Sequence, residues 1–244
     1  IAVIALVGMF DDLFRLSWAT KSLMPLAASL PLVAVTAGDT AMALPFLGTI
    51  DFGWFYTLVL IPLGVSGAAN AINMSAGYNG LEAGIGAVAS FFLFLIAFFS
   101  GSMAAAIVLA ALCGACLAFL KFNWFPAKVF PGDVGTLVIG AAIATAVIIG
   151  NMEKFGLILL LPSFYELAAT IYYGVKRVYR REKCHTPNIQ QDGRLSPPPG
   201  TEKYTLFYYI LSKKPLKENQ LVAVTLAIYC MFGLAALAVY WMKI

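Results

Sequence analysis

Asn70-Ala71-Ile72-Asn73-Met74-Ser75-Ala76-Gly77-Tyr78-Asn79-Gly80-Leu81-Glu82-Ala83-Gly84 sets three amides, one carboxylate and three glycines between two strongly apolar runs, 54–69 and 85–99. Polar groups at that density are costly in lipid unless they line a wet cavity or bind something. A glycine-rich turn between two helices accounts for Gly77 and Gly80. It leaves Asn70 and Asn73 unexplained; they stand three apart on one helical face and can present side-chain oxygens to a single point. The stretch therefore reads as a site held at a membrane surface, with the rest of the chain built to hold it.

The composition agrees. Of 244 residues, 61% are hydrophobic and 11% charged, and the mean hydropathy is +0.86, far outside the range of a soluble globular domain. This excludes a soluble globular domain and leaves an all-α polytopic membrane protein, read as a single transmembrane domain over 1–244. Residue 1 is Ile, and the apolar run Ile1–Phe10 is about half of a crossing, so N-terminal helices are expected to be missing. Cys113, Cys116, Cys184 and Cys230 suggest no disulfide framework. Cys113 and Cys116 form a C-x-x-C inside an apolar helix with no basic neighbour, which favours small-residue packing over redox chemistry.

Hydropathy predicts a partial helix at 1–10 and seven whole crossings near 23–37, 54–74, 81–99, 103–120, 135–150, 155–175 and 219–242. Counting crossings puts loops 11–22, 75–80, 121–134 and 176–218 on one side. Of the 16 lysines and arginines, all but Lys154 and Lys243 fall in those loops, which makes that side cytoplasmic. The opposite loop 38–53, with Asp39, Pro45, Asp51 and three glycines, reads as a turn or short hairpin. The long loop 176–218 suggests a hairpin around Asp192-Gly193 and an amphipathic, aromatic segment from Tyr204 to Leu211.

Asp11, Asp12, Glu82 and Asp133 all fall on the cytoplasmic side. Two aspartates at a helix C-terminus oppose the helix dipole and call for a positive partner. Amide and carboxylate oxygens suit Mg²⁺, or Mn²⁺, better than Zn²⁺, and Mg²⁺ commonly fills its octahedron with water and substrate phosphates. A diphosphate substrate fits, with Lys21, Lys183 and His185 as neighbouring cations. A transporter of anionic metabolites would also place polar loops in a membrane, but its site belongs near the midplane rather than at helix ends.

Three motifs carry a resemblance: Phe10-Asp11-Asp12-Leu13; the run from Asn70 to Gly84; and Asn123-Trp124-Phe125-Pro126-Ala127-Lys128-Val129-Phe130-Pro131-Gly132-Asp133. Together, in this order, they resemble the polyprenyl-phosphate N-acetylhexosamine-1-phosphate transferases. They look most like the archaeal and eukaryotic branch that uses UDP-N-acetylglucosamine and dolichyl phosphate. The bacterial muramoyl-pentapeptide transferases carry aspartates in the central loop, where this chain has Gly77-Tyr78-Asn79-Gly80.

The resemblance implies that Asn73 and Asp133 hold Mg²⁺, that Phe130 stacks on the uracil ring, and that Gly77 and Asn79 contact the uridine. It implies that Asp11 and Asp12 are the essential acidic pair, that Lys21 contacts phosphate, and that His185 belongs to a sugar- and phosphate-binding loop. Asn70 and Glu82 complete the expected substrate-binding set. Cys184 and Thr186 stand where eukaryotic relatives have arginines, and Arg15 where relatives often have Asn or Asp. The expected partners are a UDP-N-acetylhexosamine, a polyprenyl phosphate and the membrane; no nucleic acid is expected, and a homodimer is allowed. The expected reaction moves N-acetylglucosamine 1-phosphate to dolichyl phosphate at the cytoplasmic face, as the first step of lipid-linked oligosaccharide synthesis. The same chemistry on undecaprenyl phosphate is the alternative.

Overall fold

Between Gly132 and Ile149 the chain mixes bulky aliphatic residues with Gly135, Gly140 and four alanines, and this segment forms the helix around which the others gather. The computed structural model describes residues 1–14, 18–44, 48–176 and 187–242, with the backbone alone for 18, 19, 21, 22, 43 and 44.

In chain order, α1 (Ala2–Phe14), α2 (Trp18–Ala28) and α3 (Leu30–Ala34) lead to an antiparallel hairpin, β1 (Ala41–Leu44) and β2 (Gly48–Asp51). A π-helical turn over Tyr56–Leu60 runs into α4 (Ile61–Met74), followed by α5 (Leu81–Phe99), α6 (Met103–Asn123) and α7 (Gly132–Ile149). Next come α8 (Glu153–Leu159) and α9 (Leu161–Val175), then a small hairpin of β3 (Asn188–Ile189) and β4 (Leu195–Ser196). The chain continues through α10 (Leu206–Lys213) to α11 (Glu218–Met242).

Missing side chains let the helices meet. A Cβ on Gly140 would lie 2.3 Å from the Ala68 carbonyl oxygen, and one on Gly8 would lie 2.5 Å from the Val134 Cα. α4 and α1 thus touch the α7 backbone, a closeness that suits helices gaining dispersion and little hydrophobic driving force from lipid. Gly233 does the same for α11 against the Phe92 ring of α5.

Prolines decide where the apolar runs break. Pro162 offers no N–H and crowds the preceding turn, and α8 and α9 meet there at 71°. Pro62 follows the π-turn, in which the Ile61 N–H reaches Tyr56 five residues back. Pro25 lies inside α2 and Pro31 opens α3, so the expected crossing at 23–37 is divided at Ser29, whose hydroxyl donates to Leu26 O at 2.6 Å.

This corrects the expected count. Among the described residues five helices are long and apolar enough to cross a membrane, or six if the bent α8–α9 pair is one span. The expected seven whole spans required 23–37, whose apolar part Leu23–Ala34 is short. The segments 54–74, 81–99, 103–120, 135–150 and 219–242 form as long helices with modest changes of boundary. Two boundaries matter: α1 continues through Asp11 and Asp12, and α7 begins at Gly132, so Asp133 sits in its first turn. Both expected hairpins form, and α10 covers the amphipathic segment.

The polar clusters separate along α7, whose 18 residues span roughly 27 Å. At its far end Asn151 Oδ1 accepts the Asp39 N–H at 2.6 Å, and the Tyr56 hydroxyl bonds Glu153 beneath the first hairpin. At its near end lie α1's aspartates and the loops after α4 and α6.

Candidate active site

The first turn of α7 carries backbone N–H groups with no partner inside the helix. Asp12, from the last turn of α1, supplies one: its Oδ1 accepts the Asp133 N–H at 3.0 Å and its Oδ2 the Val134 N–H at 3.2 Å. A carboxylate is favoured there by the helix dipole. The opposition between an acidic pair and its own helix C-terminus is thus offset by the N-terminus of another helix. Gly132, at φ +61°, leaves room for this, since a Cβ would lie 2.6 Å from Asp12 Oδ2. Asp11 is buried, at 5% exposure.

Asn73, near the end of α4, reaches the same turn. Its Nδ2 donates to Asp133 Oδ1 at 2.6 Å and to Thr136 Oγ1 at 2.8 Å. Asp12, Asp133 and Asn73 therefore form one bonded series across α1, α7 and α4, although 121 and 60 positions separate them. Asn70 is buried, donates Nδ2 to Ser66 O at 2.9 Å, and lines a groove against α9 with Met74 and Thr170.

The loop after α4 is braced from three sides. Glu82 Oε1 accepts the Gly77 N–H at 2.8 Å, and Glu218 Oε1 accepts the Asn79 N–H at 2.8 Å. Between them Tyr78 meets Phe207 of α10 edge-on, with ring centroids 5.2 Å apart. Glu82 is itself buried. Gly80 takes φ +82° and backs onto Trp124, so only glycine fits both the turn and the contact. The loop between α6 and α7 is pinned by Asn123, whose Nδ2 donates to Val129 O at 2.9 Å. Its neighbour Phe130, three residues before Asp133, is exposed at 68%.

The donor set fits a hard cation. Asp133 contributes a carboxylate, Asn73 an amide and Thr136 a hydroxyl, all from rigid helices. Rotating the Asn73 amide by half a turn exchanges its nitrogen for its oxygen toward Asp133. Among the described residues no three His, Cys, Asp or Glu side chains surround one point. A site with one or two protein ligands is the pattern typical of Mg²⁺.

Lys21 belongs to α2, and its side chain is outside the described residues, as is all of His185. The sequence reading did not single out Thr136, Phe207 or Glu218, and it named Asn123 only as the start of the third motif. Thr136 was legible by spacing, being three residues from Asp133 on one helix face. Glu218 lies 139 residues from Asn79, and no local signal links them.

A bundle of apolar helices with a carboxylate-rich site at one end defines an integral membrane protein. The sequence model described as Glycosyl transferase family 4 matches residues 1–151. A protein of Sulfolobus acidocaldarius, provisionally named a UDP-N-acetylglucosamine–dolichyl-phosphate N-acetylglucosaminephosphotransferase, is 39% identical over 178 residues, 71% of this chain and 54% of that protein. A protein of the same provisional name in Saccharolobus solfataricus is 33% identical over 238 residues, 96% of this chain and 71% of its own length. The phospho-N-acetylmuramoyl-pentapeptide-transferase of Shouchella clausii is 35% identical over 201 residues, 74% of this chain and 61% of that protein. The chain belongs to glycosyl transferase family 4. It spans about half the length of the Sulfolobus relative and about seven tenths of the Saccharolobus one.

Proposed function

We propose that this protein transfers N-acetylglucosamine 1-phosphate from UDP-N-acetylglucosamine to a polyprenyl phosphate, dolichyl phosphate in particular, at the cytoplasmic membrane face, releasing UMP. The observation that carries the reading is the bonded series Asp12–Asp133–Asn73, which joins three helices at one end of the bundle. The names of the two archaeal relatives supply the substrates.

An oxygen of the lipid phosphate forms a bond to the sugar-bearing phosphorus, and the bond from that phosphorus to the bridging oxygen breaks, so that UMP departs with that oxygen. Such a displacement needs positioning and charge neutralisation more than covalent help. Asp133 and Asn73 would hold Mg²⁺, which when bound neutralises diphosphate charge and stabilises the leaving group. Asp12 holds Asp133 in register through the α7 backbone. Asp11, the buried neighbour of Asp12, is the acid–base group that this reading assigns to the lipid phosphate. Phe130 offers its exposed face to the uracil ring, and the braced loop 77–79 offers the uridine subsite. Lys21 and His185 serve the phosphates and the hexosamine.

The acceptor needs an apolar path that reaches the site. A groove of about 200 Å³ runs between α4 and α9 from Met74 and Asn70 to Leu63. Leu63 also lines a second cavity of about 300 Å³, bounded further by Gly64, Phe164 and Tyr56. Gly64 lines this cavity and would meet nothing within 4 Å if given a Cβ.

The test is incubation of membranes containing the protein with radiolabelled UDP-N-acetylglucosamine and a panel of polyprenyl phosphates. Label appearing in dolichyl-type lipid, with stoichiometric UMP and abolished by chelation, supports the reading. Label in undecaprenyl phosphate alone would shift the acceptor, and no lipid product from any acceptor would overturn the reaction.

A further inference from the structure

Loop 77–79 contains glycine at φ +141° and is followed by glycine at φ +82°, so its backbone has much freedom to lose. Nevertheless each of three consecutive residues is held by a different helix: Gly77 by Glu82 of α5, Tyr78 by Phe207 of α10, and Asn79 by Glu218 of α11. Two of those holding residues, Phe207 and Glu218, lie beyond the segment 1–151 that carries the family match.

Glu218 has an ordinary alternative role. It sits in the first turn of α11, where the helix dipole favours a carboxylate. That role does not require contact with a distant loop. The start of α11 has separate provision, because Gln220 Oε1 accepts the Lys217 N–H at 3.1 Å. The Glu218 carboxylate is instead spent on the Asn79 N–H at 2.8 Å, the length of a charge-assisted bond. Glu82 in turn accepts the Gly77 N–H, two residues earlier, at 2.8 Å. The two acids therefore fix the loop in one conformation.

We infer that Glu218 is a positioning residue for the nucleotide donor: it acts through Asn79 and makes the donor subsite depend on α11. This rests on the proposed reaction, in which the loop receives uridine. A loop ordered in advance leaves less entropy to be lost on binding, so Glu218 sets donor affinity. It touches none of the reacting atoms and adds little to the chemical step. A contribution of that kind is lost from KM while kcat stands.

The experiment uses the full chain in membranes or detergent, with donor KM, acceptor KM, kcat, thermal unfolding and equilibrium binding of UMP measured on each variant. Glu218→Ala is expected to raise the donor KM and the UMP Kd about tenfold, the scale of one charge-assisted hydrogen bond. Its kcat and acceptor KM should stay within about threefold of wild type. Glu218→Gln keeps an acceptor oxygen without the charge and should fall between the two.

An unchanged donor KM and UMP Kd in Glu218→Ala overturns the inference. So does a parallel loss in kcat and in both KM values together with a lowered melting temperature, which marks a merely structural brace. Should Glu218→Ala fail to fold, Glu218→Gln decides: wild-type UMP affinity overturns the proposal, and a severalfold loss sustains it. A wild-type protein that binds UMP but turns over no UDP-sugar overturns the proposed reaction, while the UMP measurements still judge Glu218. A wild-type protein that binds no UMP overturns both.

Discussion

Asp12 accepts two backbone N–H groups of α7, and replacing it by Ala removes both acceptors at once. Each bond to a charged group is worth about 1.5–3 kcal/mol when its loss leaves a buried donor. Asp12 is exposed, so water replaces much of that loss, and the net cost falls to about 1–2 kcal/mol, the scale of an ordinary helix N-cap. The cost is felt where it matters, because one of the two N–H groups belongs to Asp133 itself. If that energy holds Asp133 in register, Asp12→Ala should lower kcat/KM by about 5–30-fold. Asp12→Asn keeps an acceptor oxygen without the charge and should fall between. Asp11→Asn, which removes the acid–base group, should cost about 10²–10⁴-fold. The assay is initial-rate UMP release by purified variants of matched thermal stability. Background activity in both Asp12→Ala and Asp11→Asn would give Asp12 a chemical role and refute the capping argument. A rate within about twofold of wild type for Asp12→Ala would show that the cap does not hold the site.

Three other substitutions test separate parts of the site. Asp133→Asn removes the formal charge from the metal shell and should greatly lower turnover and raise the Mg²⁺ concentration needed for half activity; a rate within about threefold of wild type contradicts the ligand assignment. Phe130→Ala should raise the UDP-sugar KM through lost stacking worth roughly 1–3 kcal/mol, and an unchanged KM removes this ring from the uridine subsite. Gly67→Leu should fill the groove against Phe164, toward which a Cβ would point at 3.7 Å. It is expected to raise the acceptor KM and leave the donor KM alone; equal effects on both would show that the groove is not the lipid path.

The crossings most legible in the sequence are those whose apolar runs are long and free of internal proline. Leu81–Phe99 appears with the expected boundaries because its hydropathy alone makes it a buried helix. The runs at 23–37 and 155–175 misled on length, since hydropathy sums apolar side chains and does not register that a proline without an N–H divides the helix. The spacing of Asn70 and Asn73 placed both on one side of α4. Around that side a difference of three residues still separates a neighbour on α7 from a neighbour on α9.

The sequence by itself determined that this chain lives in a membrane, because its long apolar runs can satisfy their backbone as helices in lipid, and it marked which helix ends carry polar chemistry. Composition and the order of three motifs were enough for that, since both are local properties. Only the tertiary structure decided what each polar residue does there. Asp12 proves to cap another helix, Glu82 to brace the loop after α4, and Glu218 to join that loop from 139 residues away. The physical reason is that a hydrogen bond depends on where a donor and an acceptor meet in space. Those meetings are set by how closely the glycines of α1 and α7 let the helix backbones approach, which no single stretch of sequence states.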